Sequence, residues 1–223
     1  MIDLSNQDIN YTSTDKVEIK SNYSYLLIKR SIDLLGSSLG LIFLSFLFLV
    51  VAILIKLEDP RGPIFFSQER VGMNGKKFKM YKFRSMVFNA EEILDSLLSK
   101  NEVEGAMFKM KDDPRITKVG KFIRKTSIDE LPQLLNVLIG DMTLVGPRPP
   151  LPREVSQYSK FQKQRLMAKP GCTGLWQVSG RNSLSFEQMV QLDLLYISKR
   201  NTILDFKIIL KTFLVIIKPN DAY

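Results

Sequence analysis

Polar and apolar positions divide the chain into three stretches of different character. The first 22 residues are polar, rich in Asn, Ser, Thr and Asp, and predict a flexible tail. Positions 34–55 hold no charged residue, between Lys29-Arg30-Ser31-Ile32-Asp33 on one side and Lys56 on the other. A helix of that length covers roughly 30 Å, the thickness of a bilayer's hydrocarbon, and it begins too late to be a signal peptide. From residue 58 onward, charged and apolar positions interleave as in a folded domain. The organisation expected is a tail over 1–22, a membrane-associated helix over 23–57 and a compact domain over 58–223. Cations flank both ends of the apolar run, so charge sets no orientation. Gly36, Gly40 and Ser45 interrupt its face, and a full span and a dip into one leaflet both fit.

Within the domain, the segment from 58 to 68 reads as a turn followed by a short apolar strand, and 72–76 as a second turn. Residues 77–86 alternate basic and apolar side chains, which puts Phe78 and Met80, with Lys82, on one face of a strand and Tyr81 and Phe83 on the other. Residues 90–100 read as a helix and 101–113 as a loop or lid. A basic helix is expected over 118–125, followed by a second one whose start lies between Ser127 and Asp129. Ser127 and Glu130 have capping-box spacing, while Pro132 favours the later start. Leu131, Leu134, Leu135, Val137 and Leu138 supply its apolar stripe. Residues 141–152 read as a proline-rich loop, 160–169 as a basic helix, and 169–181 as a glycine-punctuated loop around one short strand. Asp205, Lys207 and Lys211 break the apolar run at 203–218, which fits a helix lying on a membrane surface or packing against the core. The fold class expected is α+β, mostly helical.

Composition narrows the chemistry. Lys and Arg number 32 against 23 Asp and Glu, a formal +9, which favours anionic partners such as lipid headgroups, nucleotides or nucleic acid. One cysteine, Cys172, rules out an internal disulfide and any multi-cysteine metal cluster. The chain has no histidine, so acid–base work falls to Asp, Glu, Lys, Tyr or a substrate's phosphate. No Walker A, dinucleotide or zinc pattern is present, and a nucleic-acid reading leaves the apolar run unexplained.

Asp129 and Glu130 are the candidate reactive pair. Adjacent residues on a regular helix point about 100° apart, so both face one small site only in a first turn or in the loop before it. An aspartate there serves either as a helix cap or as an oxygen nucleophile toward phosphorus, beside a carboxylate able to hold Mg²⁺ or take a proton. Lys82, Arg84, Arg124, Arg148 and Arg181 lie where loops can turn cations toward phosphate oxygens, or else form a general cationic face for anionic lipid. Trp176 suits either the core or stacking on a base.

Five blocks in order carry a resemblance: Lys29-Arg-Ser-Ile-Asp33; Tyr81-Lys-Phe-Arg-Ser-Met86; Lys125-Thr-Ser-Ile-Asp-Glu-Leu-Pro-Gln133; Gly140-Asp-Met-Thr-Leu-Val-Gly-Pro-Arg-Pro149; and Pro170-Gly-Cys-Thr-Gly-Leu-Trp-Gln-Val-Ser-Gly-Arg-Asn182. Over residues 28–223 the chain resembles the bacterial sugar transferases, monotopic polyprenyl-phosphate phosphoglycosyl transferases. The resemblance implies transfer of hexose 1-phosphate from a UDP-sugar to undecaprenyl phosphate, as the first step of exopolysaccharide or capsule repeat-unit assembly. It assigns Asp129 as nucleophile in a covalent phosphosugar intermediate and Glu130 as its partner acid, the two holding Mg²⁺. Lys82, Arg84, Arg124, Arg148 and Arg181 fall at positions near phosphates or in site support. Trp176 and Gln177 are implied as sugar or nucleotide contacts, and Asp193 as a supporting acid.

The resemblance further implies a catalytic domain on the cytoplasmic face of the bacterial inner membrane, with surface amphipathic helices and a single re-entrant helix. The expected partners are the UDP-sugar, undecaprenyl phosphate and anionic lipids, with a homodimer possible and no nucleic acid. The family has Ser-Pro in mid-helix where this chain has Ser45-Phe46, so the proline kink is missing. The chain also lacks the long multi-span N-terminal region of larger relatives, as expected of a minimal catalytic form. A non-enzymatic basic scaffold for polysaccharide-assembly proteins is the alternative function.

Overall fold

The computed structural model describes residues 16–18, 22–97, 110, 112–180 and 183–217. The first helix, α1 (Tyr23–Phe43), starts where the Asn22 side chain accepts the Ser24 N–H at 3.0 Å. It gives way at Leu44 to α2 (Ser45–Glu58), with a bend of 58° between the two. No single helix among the described residues is long and apolar enough to cross a membrane; α1 and α2 qualify only as this bent pair. The bend forms without proline, one residue before the Ser45-Phe46 pair.

A β-hairpin follows, β1 (Phe65–Val71) against β2 (Lys77–Phe83), antiparallel with Arg70 opposite Phe78 and Phe66 opposite Lys82. Asn74 and Gly75 turn it with positive φ, 57° and 81°. Then come α3 (Ala90–Leu97), α4 (Lys118–Lys125), α5 (Gln133–Ile139), β3 (Thr143–Val145), α6 (Pro152–Gln157), β4 (Gly171–Thr173), α7 (Phe186–Lys199) and α8 (Thr202–Ile217). The mostly helical α+β class is as expected. β3 and β4 pair in parallel so tightly that a Cβ on Gly146 or Gly171 would strike the opposite backbone.

Several local expectations change. The helix expected from Ser127 or Asp129 starts at Gln133, and Ser127 adopts a left-handed φ of 57° with no capping bond, ahead of a 3-10 turn over Ile128–Glu130. The proline-rich loop contains β3 and runs into α6, which Pro152 begins at a position needing no N–H. The basic segment at 160–169 is a 3-10 helix over Gln162–Met167. Val17, in the stretch read as a flexible tail, is buried in the main core, and its N–H donates to Gln164 Oε1 at 2.7 Å. Most of the expected lid at 101–113 lies outside the described residues.

Charge fastens the apolar helices to this core. On α1, Lys29 donates to Asp205 Oδ2 (2.8 Å), the Val145 carbonyl (2.8 Å) and the Tyr196 hydroxyl (3.3 Å). Arg30 donates to the Val137 and Leu138 carbonyls near the end of α5, and buried Asp33 accepts the Thr143 hydroxyl and the Leu144 N–H. Gly36 and Gly40 bring α1 against Leu144 and Leu134, with no room for a Cβ unless those side chains shift. On α2, Val51 and Ile55 pack with Phe83 and Ile123, while Glu58 accepts the Lys118 and Val119 N–H groups that open α4. On α8, Asp205 and Ile208 face inward, as the core-packing reading expects, while Phe206, Leu210 and Phe213 are exposed.

The Lys29–Asp205 pair should therefore matter far more than a surface pair. Its side chains are 12% and 9% exposed, against 60% and 55% for Lys77–Glu69. Removing one partner of a buried pair leaves an uncompensated charge, at a cost of about 3–5 kcal/mol, whereas an exposed pair contributes about 1 kcal/mol or less. Lys29→Met should lower the unfolding midpoint of detergent-solubilised protein markedly and Lys77→Met hardly at all; equal shifts would show that the network carries no special stability.

Candidate active site

The site forms where β2 meets the turn after α4. Asn136, fully buried on α5, accepts the Tyr81 N–H (3.0 Å) and donates to the Lys79 carbonyl (2.7 Å). That clamp fixes the register of β2 against α5, and with it the place of Lys82, the next residue along the strand. The left-handed Ser127 tightens the turn so that Asp129 and Glu130 both come within reach of one amine. Lys82 Nζ donates to Glu130 Oε1 at 2.6 Å and lies 3.8 Å from Asp129 Oδ2. The two acids share a site because they leave regular helical geometry.

Their environments differ. The Asp129 side chain is 11% exposed and the Glu130 side chain 40%. Burial pushes the Asp129 carboxyl up to about 6; Lys82 and Arg124 oppose that rise and Glu130 adds to it. Burial also works against ionised Glu130, but Lys82, Arg148 and Arg70 outweigh it and hold this carboxyl below the ordinary glutamate range. Glu130 is thus firmly anionic, while Asp129 is a shielded carboxylate of raised basicity. An oxygen of that kind is a better nucleophile than a solvated aspartate.

The other expected residues divide. Arg124 ends α4, half-buried, with its charge acting on Asp129. Arg148 sits half-buried in the 147–150 loop, with its charge acting on Glu130. Arg84 is turned elsewhere, its guanidinium bonded to the carboxylate and carbonyl of Asp59. Asp193 is bound by Arg165 through two N–H groups at 2.6 and 2.8 Å and supports α7 against the 162–167 helix. Trp176 is buried in a 3-10 turn, its indole N–H without a partner among the described residues, and Gln177 is half-buried beside it. Arg181 lies outside the described residues. Cys172 is half-buried, and its thiol is pushed well above the usual range by burial, so it is inert.

Sequence reasoning passed over Asn136 and Arg70. Asn136 had a signal, a lone amide inside an apolar helical stripe. Arg70 had none beyond its basic character.

The raised Asp129 carboxyl has a measurable sign. In metal-free protein its ¹³C carboxyl resonance should titrate near pH 6, not near 3.8, and Lys82→Met should move the midpoint higher. The folded value lies above the unfolded one, so ionisation of Asp129 opposes folding, and stability drawn from the protonated group is lost as pH rises from about 4 to 6. Asp129→Asn should accordingly melt above wild type at pH 7–8 and converge with it below pH 4. A midpoint near 4 in wild type would mean that the carboxylate is open to water.

Comparison with known proteins identifies the family. The profile of the bacterial sugar transferase family matches residues 24–219. The galactosyl transferase CpsE of Streptococcus agalactiae is 52% identical over 203 residues, covering 90% of this chain and 44% of the relative. The undecaprenyl-phosphate galactose phosphotransferase of Salmonella typhimurium is 43% identical, covering 99% of this chain and 48% of its own. The exopolysaccharide production protein ExoY of Rhizobium meliloti is 39% identical over 201 residues, with 88% of each chain covered. The chain spans under half the length of the first two relatives and most of the third. By its sequence from residue 24 to 219, the chain belongs to the bacterial sugar transferase family.

Proposed function

We propose that the protein transfers hexose 1-phosphate from a UDP-sugar to undecaprenyl phosphate, giving undecaprenyl-diphosphate hexose and UMP. The observation that carries this reading is Asp129: a shielded carboxylate of raised basicity, 3.8 Å from a lysine amine, in a chain that also carries a bent pair of exposed apolar helices. An Asp129 oxygen attacks the β-phosphorus of the donor. The bond from that phosphorus to the bridging oxygen breaks, its electrons leave with UMP, and an acyl phosphosugar remains on Asp129. An oxygen of the lipid phosphate then attacks the same phosphorus, and Asp129 leaves as a free carboxylate. Lys82, Arg124 and Arg148 offset the negative charge gathered on the phosphoryl oxygens. A carboxylate nucleophile also accounts for an enzyme without histidine.

Mg²⁺ fits the donor set. Among the described residues no three metal-ligating side chains converge. Two adjacent carboxylates suffice, because Mg²⁺ takes one or two from protein and fills its shell with phosphate oxygens and water. Asp129 and Glu130 would hold it, and when bound it neutralises the diphosphate and eases departure of UMP.

The same reading makes α1 and α2 a wedge in the cytoplasmic leaflet of the inner membrane, with the domain from 58 to 223 on the cytoplasmic face. The first half of α1 and the second half of α2 both pack on one folded body, and the bend between them leaves Phe43 and Phe46 79% and 75% exposed at the apex. Shared evenly about the membrane plane, a 58° bend in helices of 21 and 14 residues reaches roughly 10–15 Å deep, about one leaflet. The outward apolar face of α8, together with Phe122 between Lys121 and Lys125 on α4, continues that surface and suits anionic lipid.

Two experiments test these statements. Detergent-solubilised protein given a panel of UDP-hexoses, Mg²⁺ and undecaprenyl phosphate should release UMP. Asp129→Asn should lose that activity by at least about 10³-fold, and donor radiolabelled in the β-phosphate should leave label on wild-type protein alone. Sequential kinetics with no labelled protein would favour direct attack by the lipid phosphate. For topology, in a Cys172→Ala background, Asn22→Cys and Leu57→Cys should react with an impermeant maleimide from the same side of the membrane. Labelling from opposite sides would sink the wedge and establish a span.

A further inference from the structure

Arg70 lies outside the five sequence blocks, yet its surroundings are unusual for an arginine. The residue is 5% exposed on β1. Its Nη1 donates to the Pro149 carbonyl at 3.1 Å, its Nη2 donates to Gln68 Oε1 at 2.6 Å, and its Nε finds no acceptor. Both hydrogen-bond acceptors are neutral, and although the charges of Glu154 and Glu130 reach it, no carboxylate among the described residues is bonded to it directly. Burying a guanidinium without a direct ion pair is costly, so its place needs a reason.

The reason lies in what it grips. The next residue, Val71, donates its N–H to the Pro150 carbonyl at 2.9 Å, so β1 holds two successive carbonyls just past Arg148. On the other side of Arg148, the Gly171 N–H donates to the Pro147 carbonyl at 2.9 Å. Prolines at 147, 149 and 150 fix the remaining φ angles. Within that four-residue loop Arg148 alone carries a long side chain, and its base is pinned before and after. The two guanidiniums are also near enough to repel. The Arg148 charge acts on Glu130 as well as on Tyr158 and Asp193, so the fixed backbone of the loop decides how near that cation stays to the Glu130 pole.

We infer that Arg70 is a positioning residue for Arg148: it holds the Pro149 carbonyl so that the Arg148 guanidinium stays directed at the Glu130 side of the site, where the donor's diphosphate arrives. This rests on the transferase reading above. Arg70 itself needs no contact with substrate. Its effect through the loop therefore vanishes once Arg148 is gone, leaving only its smaller direct charge on Glu130.

That dependence is the test. Wild type, Arg70→Met, Arg70→Lys, Arg148→Met and the Arg70→Met/Arg148→Met double variant are first compared by thermal unfolding, and those that stay folded go forward. Each is then assayed for UMP release from UDP-galactose and for UDP binding by calorimetry. Arg148→Met should lower kcat/KM by roughly 10²–10³-fold, as expected for loss of one charged donor at a transferring phosphoryl group. Arg70→Met should lower it by about 10- to 100-fold, mainly through kcat, and Arg70→Lys should recover much of the loss by donating one bond to Pro149. The double variant should lie close to Arg148→Met and lose far less than the product of the two single losses. If it instead falls by the product of the two single losses, Arg70 acts on substrate independently and the inference is wrong. It is equally wrong if a folded Arg70→Met matches wild type in both assays. A folded wild type that neither binds UDP nor releases UMP with any donor removes the transferase reading, and this inference with it.

Discussion

Lys29, Arg30 and Asp33 bind one face of α1 to the carbonyls of α5, to β3 and to Asp205 of α8, and the positions of the other elements follow from that attachment. Apolar contact alone cannot orient a helix whose outer face is equally apolar, because a rotation about its axis would bury just as much surface. Directional bonds remove that freedom. They are strong here because most are shielded from water, and each donor has an acceptor already in place. Arg30 answers the unpaired carbonyls that any helix leaves at its C-terminal end, and the same bonds settle how α5 leans on the hairpin.

The chemistry is built outward from α5. One of its residues, Asn136, grips β2, and the turn leading into it carries Asp129 and Glu130. Lysine and carboxylates therefore belong to two elements locked to one another, and their spacing does not depend on a mobile loop. The opposite rim, with Arg148, is held from two further strands, β1 and β4. The cations and acids gathered here are thus held on rigid elements, which suits catalysis by positioning and fixed charge.

Shielding sets the division of labour between the two acids. Glu130, 40% exposed and paired at 2.6 Å, keeps its charge; Asp129, more enclosed and farther from the amine, has its charge destabilised. Neighbours in sequence are therefore unlike in chemistry. The difference of just over 1 Å in their distances to Lys82 comes from the left-handed Ser127 and the short 3-10 turn that follows.

Much was legible beforehand because it depends on local pattern. Period-two alternation located β2, an uninterrupted apolar run located the bent helix pair, and Asp129-Glu130 beside a basic helix marked the acids that the structure brings to Lys82. The boundaries failed where local preference met a tertiary demand: Ser127 has cap chemistry, but it is needed as a left-handed corner. Arg84 and Arg148 look alike in sequence, each beside aromatic or proline residues, yet one is absorbed by Asp59 while the charge of the other acts on Glu130. Asp205 read as a charge that spoils an apolar helix and is in fact the partner of Lys29, 176 residues away. The sequence by itself determined which residue types the chemistry had to use, since absent histidines and a lone cysteine are facts of composition. Only the tertiary structure decided which acids and cations meet and how dry each one is, because charge interactions depend on distance and on water, and neither is written in chain order.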